Sequence, residues 1–334
     1  MKRKKRARRH PWIVPVLIFL AVAAGLFAGG ILLDRQSQGE ETKGDPTQRY
    51  QYEDTFEVDG VNYRRRRGLT TILVMGIDRE SDARIVGYRN GGQADFLRLV
   101  VIDSVNGTVS QMQIDRDTMT PITILGIMGN KSGVRTAQIA LAHGFGDGKA
   151  QSCELAREAV SNLLFNAPID FYMAMNMDGI SVLNDQLGGI EVTLEDDFSH
   201  LDPAMTQGTT LTLVGDQAEL YVRSRMSVGV GTNEARMVRQ QQYISKLASR
   251  LEERIRADQK FIGNLFDAML PYLTTDMARG RLINEAWAAR NYTRGETIIP
   301  QGVHQVGDNE YIEFIIDEEA LKEQVIGLFY ETVK

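Results

Sequence analysis

Asp78 closes an apolar run, in Gly76-Ile77-Asp78-Arg79, and Asp95 opens another, in Gly91-Gly92-Gln93-Ala94-Asp95-Phe96. A carboxylate at the mouth of a strand is a common place for a metal ligand or catalytic group; a turn or helix cap is the competing assignment. Two such acids could share one hard divalent cation, because Mg²⁺ takes one or two carboxylates and completes its shell with phosphate oxygens and water. A third cluster, Ile114-Asp115-Arg116-Asp117-Thr118, sets an arginine between acids. That arginine is either aimed at a ligand or held in a structural salt bridge. In Tyr221-Val222-Arg223-Ser224-Arg225 the two arginines are two apart. In an extended or irregular stretch they would face one way and hold an anion between their planar forks, a solvated pair being the competing assignment. Arg236, Arg239 and Gln240 open a long helical pattern and share one face by i, i+3, i+4 spacing. Basic residues in a first turn oppose the helix dipole, unless an anion binds there. Acids that hold a cation across a pyrophosphate, with guanidiniums that neutralise developing charge, are the equipment of phosphoryl transfer.

Other chemistries lack their residues. There is no Walker A loop, no HExxH and no GxSxG, and His10, His143, His200 and His304 are scattered without metal spacing. His143 lies beside the Gly-rich Gly144–Gly148 stretch, as a packing or site-wall residue. Cys153 is the single cysteine, so no intrachain disulfide forms; in a helical stretch it reads as a packed small hydrophobe.

The elements that must position these groups alternate in type. Leu69–Ile77, Phe96–Asp103 and Val109–Ile114 read as strands, the last two joined by the turn signal Asn106-Gly107. Phe171–Asn176, Ile190–Leu194, Glu296–Ile299 and Tyr311–Ile316 are further strands. Thr136–Ala142, Cys153–Leu164, Asp178–Leu187, Asp216–Arg223, Glu234 to about Arg256, Lys260–Leu273, Arg281–Arg290 and Asp317–Thr332 read as helices. Gly188-Gly189 is a helix stop. The mixture predicts an α/β or α+β sandwich.

The first 66 residues read differently. Seven of the first nine residues are basic, and removing them from a net charge of −6 leaves −13 on the rest. An acidic body argues against nucleic-acid binding. Trp12–Leu33 carries no charge over 22 residues, which as a helix spans about 33 Å and crosses a hydrocarbon core. The basic cluster keeps residues 1–11 cytoplasmic and the body outside. An uncleaved anchor is favoured over a signal peptide cut near Ala21-Val22-Ala23, because the apolar stretch continues to Leu33. Residues 34–66 read as an extracytoplasmic linker, ending in Arg64-Arg65-Arg66-Arg67, a solvated entry or a contact for anionic groups. Residues 67–334 are the folded domain.

From about Thr70 to Tyr243 the ordered motifs resemble the LytR-CpsA-Psr family of cell-wall ligases. They are strand-GID, Asp before a strand, the Arg116-Asp117 element, Pro168-Ile169-Asp170-Phe171-Tyr172, Leu187-Gly188-Gly189-Ile190-Glu191-Val192, RSR, and RxxRQQ. The resemblance implies a three-layer α/β/α domain around a mixed sheet, with a hydrophobic channel for a polyprenyl chain. It implies transfer of a glycopolymer phosphate from undecaprenyl pyrophosphate to peptidoglycan, with Mg²⁺, or Mn²⁺ in its place. By the same match Asp78 and Asp95 hold the metal, Arg116 and Asp117 are catalytic, and Arg79, Arg223, Arg225, Arg236, Arg239 and Gln240 bind pyrophosphate. Glu80, Gln93, Asn233 and Asp115 depart from the family's usual residues. A non-catalytic glycan-binding scaffold and a polyprenyl-pyrophosphate pyrophosphatase are the alternatives. A transcriptional regulator would lie on the wrong side of the membrane.

Overall fold

The computed structural model describes residues 55–78, 91–224, 228–229, positions between 239 and 258, and then 261–289, 292–308 and 310–333. The predicted membrane segment, 12–33, lies outside these residues. Among the described residues no helix is long and apolar enough to cross a membrane. The chain divides into two compact units, residues 180–269 and the remainder.

The larger unit is built on a six-stranded mixed sheet. Its strands are β3 (Leu69–Asp78), β4 (Gln93–Asp103), β5 (Thr108–Ile114), β8 (Phe171–Asn176), β11 (Leu273–Thr275) and β12 (Thr293–Ile298). They lie in the order β11-β8-β3-β4-β5-β12. β3 runs parallel to β8 and β12 parallel to β5; the other neighbours are antiparallel. Period-2 alternation sends Leu73, Met75, Leu97, Leu99, Val101 and Met112 to one face. That face packs on Cys153, Ala156 and Val160 of α2 (Ala150–Leu163) and on Leu321, Val325 and Phe329 of α7 (Glu318–Phe329). Burial of these side chains removes most of their apolar area from water, worth roughly 1.5–3 kcal/mol for each large one. Between β11 and β12 the chain forms α6 (Arg279–Ala289), close to the predicted helix of residues 281–290.

Several segments differ from the sequence reading. Thr136–Ala142 is not a helix: β6 (Met119–Leu125) and β7 (Lys131–Gln138) form an antiparallel hairpin, and only a short turn, α1 (Leu141–Gly144), is helical. β7 is exposed at its first six positions, so it shows no alternating apolar signature. Part of the expected linker is folded: β1 (Thr55–Val58) and β2 (Val61–Arg65) pair, and β15 (Tyr330–Thr332) adds to β2. The last predicted helix therefore stops at Phe329. β13 (Gly302–Val306) and β14 (Ile312–Ile316) make a further hairpin.

The arginine run enters this scaffold as structure. Arg64 pairs with Glu331 at 2.8 Å, and Arg66 Nε donates to the Tyr330 carbonyl at 2.9 Å. Arg65 Nη2 lies 3.1 Å from Asp170, whose side chain is fully buried and also accepts from the Thr71 amide at 2.8 Å and hydroxyl at 2.9 Å. Asp170 thus ties the starts of β3 and β8 to β2.

The unit of residues 180–269 contains α3 (Gly179–Gln186), the antiparallel pair β9 (Ile190–Thr193) and β10 (Thr210–Leu213), α4 (Asp216–Arg223) and α5 (Phe261–Met269). Every described position from 239 to 257 is helical, in line with the predicted long helix. Its core gathers Leu183, Leu187, Val192, Phe198, Leu213, Tyr221, Leu247, Leu251 and Phe266.

Candidate functional site

Antiparallel pairing brings the exit of β3, the entrance of β4 and the exit of β5 to one end of the sheet. Asp78 pairs with Gln93 across the ladder. The next two rungs pair Ile77 with Ala94 and Gly76 with Phe96, so Asp95 is an extra residue in a bulge. The buried pattern shows the same insertion, since Ala94 and Leu97, three apart, both join the core. A bulge re-aims a side chain at a strand end. Gly76 fits this closeness: a Cβ there would lie 3.1 Å from the Phe96 Cβ.

The third cluster meets the second. Arg116 Nη1 lies 2.5 Å from Asp95 Oδ1, and Nη2 donates to Gln93 Oε1 at 2.6 Å. Its Nε is 3.5 Å from Asp117 Oδ1. Arg116 is therefore fixed by three side chains from two elements, and Gln93, one of the family departures, is one of them. Asp117 also accepts from Gln138 Nε2 at 3.0 Å. Burial pushes the Asp117 carboxyl above its ordinary range, with Arg116 opposing and Asp115 adding to the rise. Two further partners were not visible in the motifs. His304 Nε2 sits 3.1 Å from Asp115 Oδ2, and Gln138 links Asp117 to the β14 backbone at Ile312. Both arrive through tertiary pairing, and local spacing carries no signal for either.

His143 is buried behind the entrance of β4. Its Nδ1 lies 3.0 Å from the Gly92 carbonyl and its Nε2 is 3.9 Å from Cys153 Sγ. A Cβ on Gly91 would lie 2.5 Å from the His143 carbonyl. His143 is thus a packing brace for the loop that delivers Asp95. Burial pushes the Cys153 thiol far up, so it stays protonated and unreactive.

The carboxylates of Asp78 and Asp95 are hard oxygen donors, which suits a hard divalent cation. Among the described residues no group of three or more His, Cys, Asp or Glu gathers to hold a metal. Two carboxylates with the remaining positions left to substrate oxygens and water is the manner in which Mg²⁺ is held. The donor set fits, with one condition: Arg116 already engages one Asp95 oxygen.

In the unit of residues 180–269, Arg223 is the last residue of α4 and pairs with Glu219 at 2.9 Å, one turn back. Arg223 thus closes the helix, and the next residue, Ser224, is extended. Arg239 is 3% exposed and is enclosed by protein groups. Its Nη1 meets Asp196 at 2.6 Å, Nε donates to the Tyr221 carbonyl at 3.4 Å, and Nη2 donates to the Ser224 carbonyl. Its guanidinium also lies over the Phe198 ring at 5.4 Å. Arg239 therefore anchors the backbone that leads into Arg225. Arg79, Arg225, Arg236 and Gln240, with Glu80 and Asn233, lie outside the described residues.

A mixed α/β sheet with a carboxylate–guanidinium cluster across the mouths of three adjacent strands defines an α/β domain whose charged groups gather at the strand ends. The chain belongs to the LytR_cpsA_psr family, whose pattern matches residues 33–325. A relative from Halalkalibacterium halodurans, named polyisoprenyl-teichoic acid–peptidoglycan teichoic acid transferase TagU, is 29% identical over 155 residues. That match takes in 46% of this chain and 44% of the relative, so the chain spans under half of its length. Among solved structures, protein gbs0355 from Streptococcus agalactiae superposes with a TM-score of 0.60 at 21% identity, over 80% of this chain and 91% of that one. TagT bound to LI-WTA gives a TM-score of 0.55 at 20% identity, over 78% and 90%. These likenesses establish the fold.

Proposed function

We propose that this chain is a single-pass cell-membrane protein whose folded body lies outside the membrane. There it transfers a phosphate-linked glycopolymer from a polyprenyl pyrophosphate carrier to peptidoglycan. Family membership supports this reading, as does the relative whose name couples polyisoprenyl-teichoic acid to peptidoglycan. The anchor is residues 12–33, with the basic residues 2–9 on the cytoplasmic side.

The observation that carries the chemistry is Arg116, clamped between Asp95, Gln93 and Asp117 at the mouth of the sheet. A planar guanidinium held on several sides loses little freedom when it binds a phosphate. In the reaction, a peptidoglycan hydroxyl attacks the phosphorus that bears the glycan. A new P–O bond forms as the bond to the bridging oxygen breaks, and polyprenyl monophosphate leaves with the electron pair. Arg116 neutralises charge that builds on the phosphoryl oxygens. Asp117, whose carboxyl burial makes more basic than usual, takes the hydroxyl proton. A divalent cation on Asp78 and Asp95 would screen the pyrophosphate and ease departure of the lipid phosphate. Arg79, Arg223, Arg225, Arg236 and Gln240 are assigned to the pyrophosphate in this reading, while Arg239, enclosed by protein groups, braces the backbone at Ser224.

The test is reconstitution of the full chain in detergent with a lipid-pyrophosphate oligosaccharide, Mg²⁺ and peptidoglycan fragments. Covalent glycan transfer that disappears in Asp95→Ala and Arg225→Ala supports the transferase. Tight binding without turnover across varied acceptors would replace it with a scaffold, and lipid phosphate release without transfer with a pyrophosphatase.

A further inference from the structure

The face of the central sheet opposite the α2 core is chemically divided. On β3 and β8 it carries Ile72, Val74, Phe171 and Met173, which pair across the two strands. On β4, β5 and β12 the same face carries Arg98, Gln111, Gln113 and Thr297. Arg98 stands in the middle of the apolar run Phe96–Val101 and is 4% exposed.

Among the described residues, no carboxylate pairs with its charge. Arg98 Nη1 donates to Gln111 Oε1 at 3.2 Å and Nη2 to Gln113 Oε1 at 3.0 Å, while the Phe96 ring centroid lies 5.1 Å away. The buried Nε has no hydrogen-bond partner. Gln111 Nε2 continues the chain to Thr297 Oγ1 at 3.0 Å, and Arg294 Nη2 donates to the same hydroxyl at 3.0 Å. A neutral relay thus connects two cations, and no ion pair to a carboxylate is made by either among the described residues. Burial, with Arg294 nearby, lowers the Arg98 guanidinium to about 10. A buried charge is normally paired, because neutral amides repay only part of the lost hydration. Two arginines kept together without a carboxylate are best accommodated by an anion from outside the chain.

We propose that Arg98 and Arg294, with Gln111, Gln113 and Thr297, form a second oxyanion-binding site on this face of the sheet. It takes a phosphate or carboxylate group through the unpartnered Arg98 Nε. Arg98 is three residues along β4 from Asp95, about 10 Å at the rise of a strand. The site is therefore distinct from the Asp78–Asp95–Arg116 cluster and stands whether or not the chain catalyses transfer. Phe96, Val74, Gln113 and Thr297 around it are half-buried and Arg294 is exposed, whereas Arg98 Nε itself is covered, so an anion reaches it by displacing one of these side chains. The anion is either a phosphodiester of a glycopolymer or a free small ion.

The experiment is calorimetric titration of the full chain in detergent with inorganic phosphate, for the wild type, Arg98→Met and Arg116→Met. The wild type and Arg116→Met should share a phosphate site that Arg98→Met lacks. Arg98→Met should melt no lower than the wild type without phosphate, since it removes an unpaired buried charge. Retention of the wild-type stoichiometry in Arg98→Met overturns the proposal. Should Arg98→Met not fold, the exposed Arg294→Gln variant replaces it: several-fold weaker phosphate binding supports the site, and unchanged binding overturns it. Competition by a glycerol-phosphate oligomer assigns the site to a polymer phosphodiester. Competition by acetate but not by the oligomer assigns it to a free ion.

Discussion

Arg116 and Asp95 form an ion pair of 2.5 Å between the exit of one strand and a bulge in its neighbour. The pair uses part of the carboxylate assigned to the metal. In the proposed reaction Arg116 and a cation would compete for Asp95 before substrate arrives, and bound pyrophosphate would draw both to its oxygens. Removal of the guanidinium should therefore strengthen cation binding and abolish turnover together. Arg116→Met is expected to bind Mg²⁺ roughly threefold to tenfold more tightly, a half-exposed charge pair contributing about 0.5–1.5 kcal/mol. Its kcat/KM for transfer should fall at least ~100-fold. Calorimetry with Mg²⁺ and a transfer assay read the two effects. Weaker Mg²⁺ binding in the variant would show that Arg116 helps to build the cation site rather than competing for it.

Asp117 sets a pH dependence. Its carboxyl lies above the ordinary range because burial outweighs the attraction of Arg116. The native state then holds this proton more tightly than the unfolded chain. Its contribution to stability is full at low pH and is lost as pH rises through its raised pKa. Activity runs the other way, since only the carboxylate can take a proton and hold Arg116 Nε. The acid limb of kcat/KM should fall at a higher pH than for an ordinary aspartate, and Asp117→Asn should remove that limb and lower the plateau. A limb unchanged in the variant would assign it to another group.

The pair of half-buried Arg65 and fully buried Asp170 holds the start of the domain together. Asp170 also receives two hydrogen bonds from Thr71. Asp170→Ala removes the acceptor of the buried Thr71 amide and the carboxylate that faces Arg65, and should cost about 3–5 kcal/mol. Arg65→Met, which keeps the Thr71 bonds, should cost less. Denaturant melts followed by circular dichroism give both values. If Arg65→Met leaves the melt unmoved, Arg65 is a solvated charge despite the contact.

The motifs located one end of the sheet well, for physical reasons. Leu69–Asp78 is buried on both faces for most of its length, so its continuous apolar run could only be an interior strand. Asp216–Arg223 begins with acids and ends with a base, and the helix occupies those same residues. The bulge at Asp95 has a signal in the three-residue spacing of Ala94 and Leu97, but a strict period of two hides it. Thr136–Ala142 misled because β7 is an exposed edge strand whose composition reflects solvent. Arg223 closes the Asp216–Arg223 helix as the sequence reading had it, and Arg225 lies outside the described residues. Gln138 and His304 reach the Arg116 neighbourhood only through the β6–β7 and β13–β14 hairpins, which bring together positions far apart in sequence. Arg98 is plain in the sequence as a charge within an apolar run; its want of a counter-charge is a property of the folded sheet.

Gly189 tests the helix stop directly. Gly188 and Gly189 both adopt positive φ, at 81° and 83°. A Cβ on Gly189 would meet Thr212 Cγ2 at 2.4 Å and the Leu213 carbonyl at 2.7 Å, where β10 crosses beside β9. Gly189→Ala thus combines left-handed backbone strain with a collision against backbone that cannot yield alone. A loss of about 3 kcal/mol is expected, of which the strain accounts for roughly 1–2. Gly208 separates the two causes, because it has φ of 80° and a Cβ added there would meet nothing within 4 Å. Gly208→Ala should therefore show the strain alone, about 1 kcal/mol. Equal losses in the two variants would mean that β10 shifts freely to admit the methyl group, and that the close approach of Gly189 to β10 is not what its position requires.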